Sequence, residues 1–467
     1  MASNSYDLVI LGGGTGGYSA ALRGANLGLS VALVEQDKVG GTCLHRGCIP
    51  TKALLHVAEL VEGIHEAAER WGVKAAVEGV DYSATVANRE DIVNRNFKGL
   101  QAHLKKEKVD TLAGHGRLVA PNRVAVEGIG EVEAAKAVVL ATGSVPRPLP
   151  GLEIDGRRVI TSDHALQLDH LPKSALVIGA GAVGAEFASF YRAMGADVTL
   201  VEALAQVLPL EDPDIGREVN RAMKRRGIDV LTATRVGDAE VGEDQVTATL
   251  VSDNGDRKEV TVELVLVATG RAPVSADLGY EDVGVRLDRG FVVPADWDTL
   301  ETSVKGVFAV GDLLPPPSLA LAHASFAEGM LVAERAAGLD SPAVNYPGVP
   351  RVTWSTPEAA SVGLTEAQAR EQGHEVVTNK FPFNGVAKGM VHGQGGIVKL
   401  VAAKDGPVLG VHLVGARVTD LIAEGQLIVN WEALPMDVAQ FIHPHPTLSE
   451  AIGEAHLTLA GRPLHQG

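Results

Sequence analysis

The chain has 467 residues, 46% hydrophobic and 21% charged, which excludes a disordered or fibrous class and suits about three folding units. A formal net charge of −17 argues against a nucleic-acid or anionic-membrane partner and leaves a basic protein surface open. Two cysteines exclude a secreted disulfide framework, and no run reaches the ~20 apolar residues of a membrane span. With no secretory leader legible, a cytoplasmic location is expected.

Residues 7–35 read DLVILGGGTGGYSAALRGANLGLSVALVE, and residues 174–202 read SALVIGAGAVGAEFASFYRAMGADVTLVE. Gly12, Gly14, Gly17, Gly28 and Glu35 fall opposite Gly179, Gly181, Gly184, Gly195 and Glu202 at one constant offset. Each copy predicts a strand, a Gly-x-Gly-x-x-Gly turn, a small-residue helix and a second strand ending in an acid. The first glycine makes the tight turn, the second lets backbone approach a pyrophosphate, and the third lets helix pack on strand. The pyrophosphate suits the free N–H groups of the helix N-terminus, and the terminal acid suits a ribose hydroxyl. One such motif could be only a glycine-rich turn. Two, each with strand, helix and acid in register, define a cofactor-binding unit written twice.

Both cysteines lie just beyond Glu35, in GGTCLHRGCIPTK (40–52). Cys43 and Cys48 are five apart, and in a regular helix that spacing separates Cα atoms by roughly 8–9 Å. A disulfide wants less than about 7 Å. If the two pair, the backbone must leave α geometry, and Gly47 and Pro50 supply the means. Lys52, one turn after Cys48, favours a thiolate. Two inert buried cysteines are the alternative. A metal site is disfavoured, because His45 would be only a third ligand.

Two segments, AVVLATGSVPRPLPG (137–151) and LVLVATGRAP (264–273), leave apolar strands through small-residue turns, as at the exit of a dinucleotide domain. In VKGVFAVGDLL (304–314), Asp312 follows a buried strand, where a carboxylate suits a sugar-like hydroxyl chain. From about Tyr346 the alternation predicts an antiparallel sheet, with helices near 417–432 and 449–460. In His443-Pro444-His445-Pro446 each histidine is pushed toward extended geometry by the following proline. Thr447 and Glu450 read as a capping box opening the next helix. A free imidazole titrates near ~6.5 and so both takes and returns a thiol proton at neutral pH.

Together the two-cysteine segment, both fingerprints, the ATG and VGD segments and HPHPTLSEA (443–451) resemble the pyridine nucleotide–disulfide oxidoreductase family, from about Asp7 to Ala455. The resemblance implies an α/β chain with two Rossmann-like dinucleotide-binding domains, for FAD and NAD, plus a C-terminal α+β dimerisation domain. It places the FAD domain at 1–150 and 273–345, the NAD domain at 151–272 and the dimerisation domain at 346–467. Cys43 would exchange with the substrate disulfide and Cys48 would lie against the flavin. Lys52 would sit near the flavin with Glu186 as its ion-pair partner. Asp312 would bind the FAD ribitol, and Thr142, Gly143 and Gly270 would line the dinucleotides. His445 would be the acid–base group, held by Glu450.

Within the family, the absence of a further C-terminal cysteine pair and the acid in VEALAQVLP (201–209), with no arginine, point to NAD and to oxidation of dihydrolipoamide. A homodimer is implied. The implied partners are lipoyl domains and the peripheral subunit-binding domain of a 2-oxo acid dehydrogenase acyltransferase, with no nucleic acid and no membrane. Reduction of another small disulfide by NADH, and a structural subunit docked on a multienzyme core, are the alternatives. His45-Arg46 stand where the family commonly has Asn-Val. The loop 313–319 is proline-rich and about two residues longer than usual.

Overall fold

In the computed structural model, which describes residues 4–466, the apolar run after Asp7 becomes a strand buried on both faces. Leu8, Val9 and Ile10 are fully inaccessible. Both faces can be apolar because the strand, Ser5–Leu11, lies inside a sheet and pairs in parallel with Val31–Glu35 and with Gly130–Leu140. The chain forms two compact units. The first comprises the described residues up to Ala53, with Val86–Arg147 and Arg271–Tyr346.

Its seven-stranded sheet runs Asp110–Ala113, Val31–Glu35, Ser5–Leu11, Gly130–Leu140, Arg123–Val126, Gly116–Ala120. A seventh strand, Val307–Ala309, arrives from far downstream and pairs in parallel with Gly130–Leu140. That late return matters for the site, because it brings Asp312 to a sheet whose first turn carries Gly12–Gly17.

The second unit comprises Leu54–Thr85, Pro148–Gly270 and the chain from Pro347 on. It repeats the parallel arrangement in the order Asp229–Leu231, Asp197–Val201, Ser174–Ile178, Leu264–Val267, Val159–Ile160. A three-stranded antiparallel sheet, Thr234–Val241, Val246–Ser252 and Arg257–Val262, is inserted before Leu264. The C-terminal part is a five-stranded antiparallel sheet, and helices Val418–Asn430 and Glu450–Leu459 stand where the sequence predicts them.

The sequence reading put Cys48 and Lys52 on one helical face but did not carry that helix on to Arg70, and it assigned none at Tyr82–Lys106. Buried Leu54, Ala58 and Val61 recur at helical spacing in the first, which was the available signal, whereas much of the second faces solvent. Among the described residues no helix is long and apolar enough to cross a membrane.

Candidate redox and dinucleotide sites

The two fingerprints fold alike. Gly12 and Gly179 adopt φ of 108° and 101°, and a Cβ on either would meet the carbonyl oxygen of Ala141 or Ala268 at 2.3 or 2.5 Å. A Cβ on Gly17 or Gly184 would stand 1.9 or 1.8 Å from the carbonyl oxygen of Gly12 or Gly179. Gly14 and Gly181 differ, since a Cβ there meets nothing of the chain within 4 Å. The second glycine therefore keeps space open at the N-termini of helices Thr15–Asn26 and Ala182–Ala193, as a pyrophosphate needs.

The terminal acids match too. Glu35 accepts from the N–H groups of Gly13 (2.7 Å) and Asp37 (2.8 Å), and Glu202 from those of Ala180 (2.7 Å) and Leu204 (2.9 Å). Each carboxylate is thus oriented at the lip of its cradle with lone pairs left for ribose hydroxyls. These residues fit a dinucleotide at each site.

The cysteine segment is built directly over the first cradle. Gly41, at φ 57°, packs so closely on Gly14 that its Cβ would stand 2.7 Å from the Gly14 Cα. Helix Gly41–Arg46 carries Cys43, Gly47 breaks it at φ −143° and ψ −114°, and helix Cys48–Arg70 starts at once. The break is made by Gly47 alone. Pro50 sits in the first turn of the second helix, where its missing N–H is not needed.

Across that break the two thiols hydrogen-bond. Neither is in a disulfide, and both are half-buried. The Cys43 thiol is pushed up by its hydrogen bond with Cys48, then by burial, while the Lys52 ammonium pulls it down. Tyr18 has its hydroxyl raised to about 12, first by burial and then by charge on Cys43 and Cys48. His45 Nε2 donates to the Val39 carbonyl at 2.9 Å and meets the Phe97 ring edge-on, so its ring serves to anchor this helix.

Asp312 lies in the one-turn helix Gly311–Leu313. It accepts from the Ser144 hydroxyl, and Arg271 Nε stands 3.7 Å away. Buried Glu328 secures this turn, accepting from the Gly311 N–H (2.6 Å), the Ser318 hydroxyl (2.9 Å) and the Tyr346 hydroxyl (3.0 Å). Its carboxyl is pushed up by burial against those donors. Ser318 belongs to the proline-rich loop, which is thereby tied down. Ser144, Arg271 and Glu328 were missed by sequence reasoning. Ser144 and Arg271 directly follow the ATG turns, which was the available signal. The Thr142 hydroxyl donates within the fold, to the Val274 carbonyl at 2.5 Å. Gly143 and Gly270 take φ of 72° and 111° at the two strand exits.

In the second unit, His445 Nδ1 donates to Glu450 Oε1 at 2.7 Å, which leaves Nε2 as the free base of the neutral ring. The Thr447 N–H donates to Glu450 Oε2 at 2.6 Å, and Thr447 Oγ1 accepts from the Glu450 N–H at 3.3 Å. The reciprocal pair expected of a capping box is formed, but the helix begins only at Glu450. Burial raises Glu450, and the Thr447 N–H and His445 together lower it further, so it stays ionised. Glu186 is buried, and its Oε1 accepts from the Trp354 N–H at 3.1 Å.

A thiol pair over one of two dinucleotide cradles, with a histidine–carboxylate pair in an appended α+β domain, defines a pyridine-nucleotide-linked dithiol–disulfide oxidoreductase. The chain belongs to the pyridine nucleotide-disulphide oxidoreductase family: that family's description matches residues 6–329, and its dimerisation domain matches residues 349–456. It is 40% identical to the dihydrolipoyl dehydrogenase of Bacillus subtilis, over 99% of this chain and 100% of that one. It is 41% identical to the dihydrolipoyl dehydrogenase of Thermus scotoductus, over 99% of each chain. Among solved structures it resembles LpdA of Mycobacterium tuberculosis, with a TM-score of 0.88 and 27% identity over 97% of this chain and 99% of that one. The protein is therefore a flavoprotein oxidoreductase using FAD and a pyridine nucleotide.

Proposed function

We propose that the protein oxidises dihydrolipoamide to lipoamide with NAD as acceptor. The observation that carries the reading is the Cys43–Cys48 pair, in hydrogen-bonding contact across the Gly47 break and packed over the first cradle through Gly41. The full-length similarity to dihydrolipoyl dehydrogenases supports the substrate.

His445 Nε2 takes a proton from one substrate thiol. That sulfur attacks Cys43 Sγ of the oxidised pair, the Cys43–Cys48 bond breaks, and Cys48 leaves as a thiolate. The second substrate sulfur displaces Cys43 from the mixed disulfide, which closes the cyclic disulfide product. Cys43 recovers the first proton from His445, which takes the proton of the second substrate thiol in its place. The substrate thus loses two electrons and two protons and leaves a Cys43 thiol, a Cys48 thiolate and a protonated His445. FAD, held at Gly12–Gly17, Glu35 and Asp312, and NAD, held at Gly179–Gly184 and Glu202, supply when bound the acceptors that take the electron pair onward. Lys52, which favours the Cys48 thiolate, and Glu186 complete the proposed set.

The working form is a homodimer. The dimerisation domain exposes Trp431, Phe441 and Ile442 at 75%, 72% and 97%, an apolar surface that a second copy would cover. Cys43 of one chain would then work with the partner's His445. The acidic chain suits the basic peripheral domain of an acyltransferase core, with lipoyl domains delivering the substrate in the cytoplasm. The test is turnover of purified protein, comparing NADH formation from dihydrolipoamide with NADH-driven reduction of glutathione disulfide. A clear preference for glutathione disulfide would replace the substrate.

A further inference from the structure

The segment 441–447 carries two histidines, and the mechanism uses only one. The His445 side chain is 75% exposed, whereas that of His443 is 13% exposed. His443 Nε2 donates to Glu424 Oε1 at 2.7 Å, from helix Val418–Asn430. The other edge of the ring lies on Gly453, where an added Cβ would come within 2.5 Å of Nδ1. Gly453 belongs to helix Glu450–Leu459, whose first residue holds His445. The His443 ring is therefore wedged between two helices, two residues before the exposed base.

The charges around it are also defined. The Glu424 hydrogen bond raises His443, burial opposes it, and the charges of Glu424 and Glu450 add to the rise. His456, on the same helix as Gly453, is pushed down to about 4 by burial and adds no charge near neutral pH. His465, bonded to Glu454, faces Glu450 from the chain end.

We propose that His443 is a positioning residue for the thiol chemistry. With Glu424 it clamps the segment that presents His445 against helix Glu450–Leu459, whose first residue orients that base. This rests on the reading of His445 as the thiol base.

The test is the separate measurement of kcat and KM for dihydrolipoamide in wild type, His443→Gln, Glu424→Gln, the double variant and Glu424→Asp. Either single glutamine variant is expected to lower kcat about tenfold with KM within about twofold of wild type, as when a base is misplaced and substrate binding is kept. The double variant should lower kcat no further, and Glu424→Asp should restore most of it. NADH-driven ferricyanide reduction, which bypasses the cysteines, reports the integrity of each variant. Values of kcat equal to wild type, or losses that simply add in the double variant, overturn the proposal. A wild type inactive toward dihydrolipoamide sinks the substrate reading instead. The same kcat comparison on glutathione disulfide reduction then decides the role of His443.

Discussion

Glu450 grips His445 with one carboxylate oxygen, at 2.7 Å, and the backbone N–H of Thr447 with the other, at 2.6 Å. The base and its segment are oriented by one side chain. Glu450→Gln should keep the backbone contact, lose the anionic partner of the imidazolium, and lower kcat for dihydrolipoamide by about 10²-fold. Flavin content should be unchanged. A variant turning over within a factor of two of wild type would remove Glu450 from the chemistry.

The two cysteines should separate spectroscopically. If Cys48 lies against the flavin, Cys43→Ser should show long-wavelength thiolate-to-flavin absorption without added reductant, and Cys48→Ser should show none. Absorbance spectra of the purified variants check this, and the reverse pattern would exchange the two assignments.

Glu202 is buried, with both oxygens already turned by backbone N–H groups, so it has no freedom to withdraw from a 2′-phosphate. Repulsion and lost pairing of about 3 kcal/mol put kcat/KM for NADP roughly 100-fold below that for NAD. Steady-state kinetics with both nucleotides measures the ratio, and equal values would contradict the assignment.

A separate prediction concerns stability. Buried Lys399 donates to Asp212 at 2.9 Å, Asp214 at 2.7 Å and Glu366 at 3.0 Å, linking the segment after the second cradle to the C-terminal sheet. Lys399→Met strands these carboxylates and should cost about 3–5 kcal/mol, seen as a lower Tm. Burial opposes ionisation of Asp214, but Lys399 wins and brings it to about 2. A carboxyl depressed on folding stabilises fully above its unfolded value near ~4 and loses that contribution as pH falls toward the folded one. The Tm difference between wild type and Lys399→Met should therefore shrink on acidification below about pH 4. A constant gap would mean the cluster acts through packing alone.

What could be read from the sequence follows from how local each constraint is. Gly17 and Gly184 are demanded by the carbonyls of Gly12 and Gly179 inside their own βαβ units, and Gly12 and Gly179 by the positive φ of the turn, so their spacing alone announces each cradle. The His445–Glu450 pair spans five positions and is equally visible. Lys399 and Asp212 lie 187 positions apart, and Glu424 sits mid-helix without any motif, so neither network leaves a local pattern. The antiparallel insertion 234–262 escaped because its outer strands are largely exposed, which blurs the alternation that marks a strand.

The central claim is a site made from Cys43 of one chain and His445 of its partner, and one measurement tests it most directly. Cys43→Ser and His445→Ala chains are co-expressed with different tags, and the doubly tagged dimer is isolated and assayed with dihydrolipoamide and NAD. Each parent homodimer should be nearly inactive. In the mixed dimer both lesions fall in one site, so the other is intact and turnover should return to about half of wild type per dimer. A mixed dimer as inactive as its parents, with FAD bound to both chains, would show that His445 serves its own chain or is not the base.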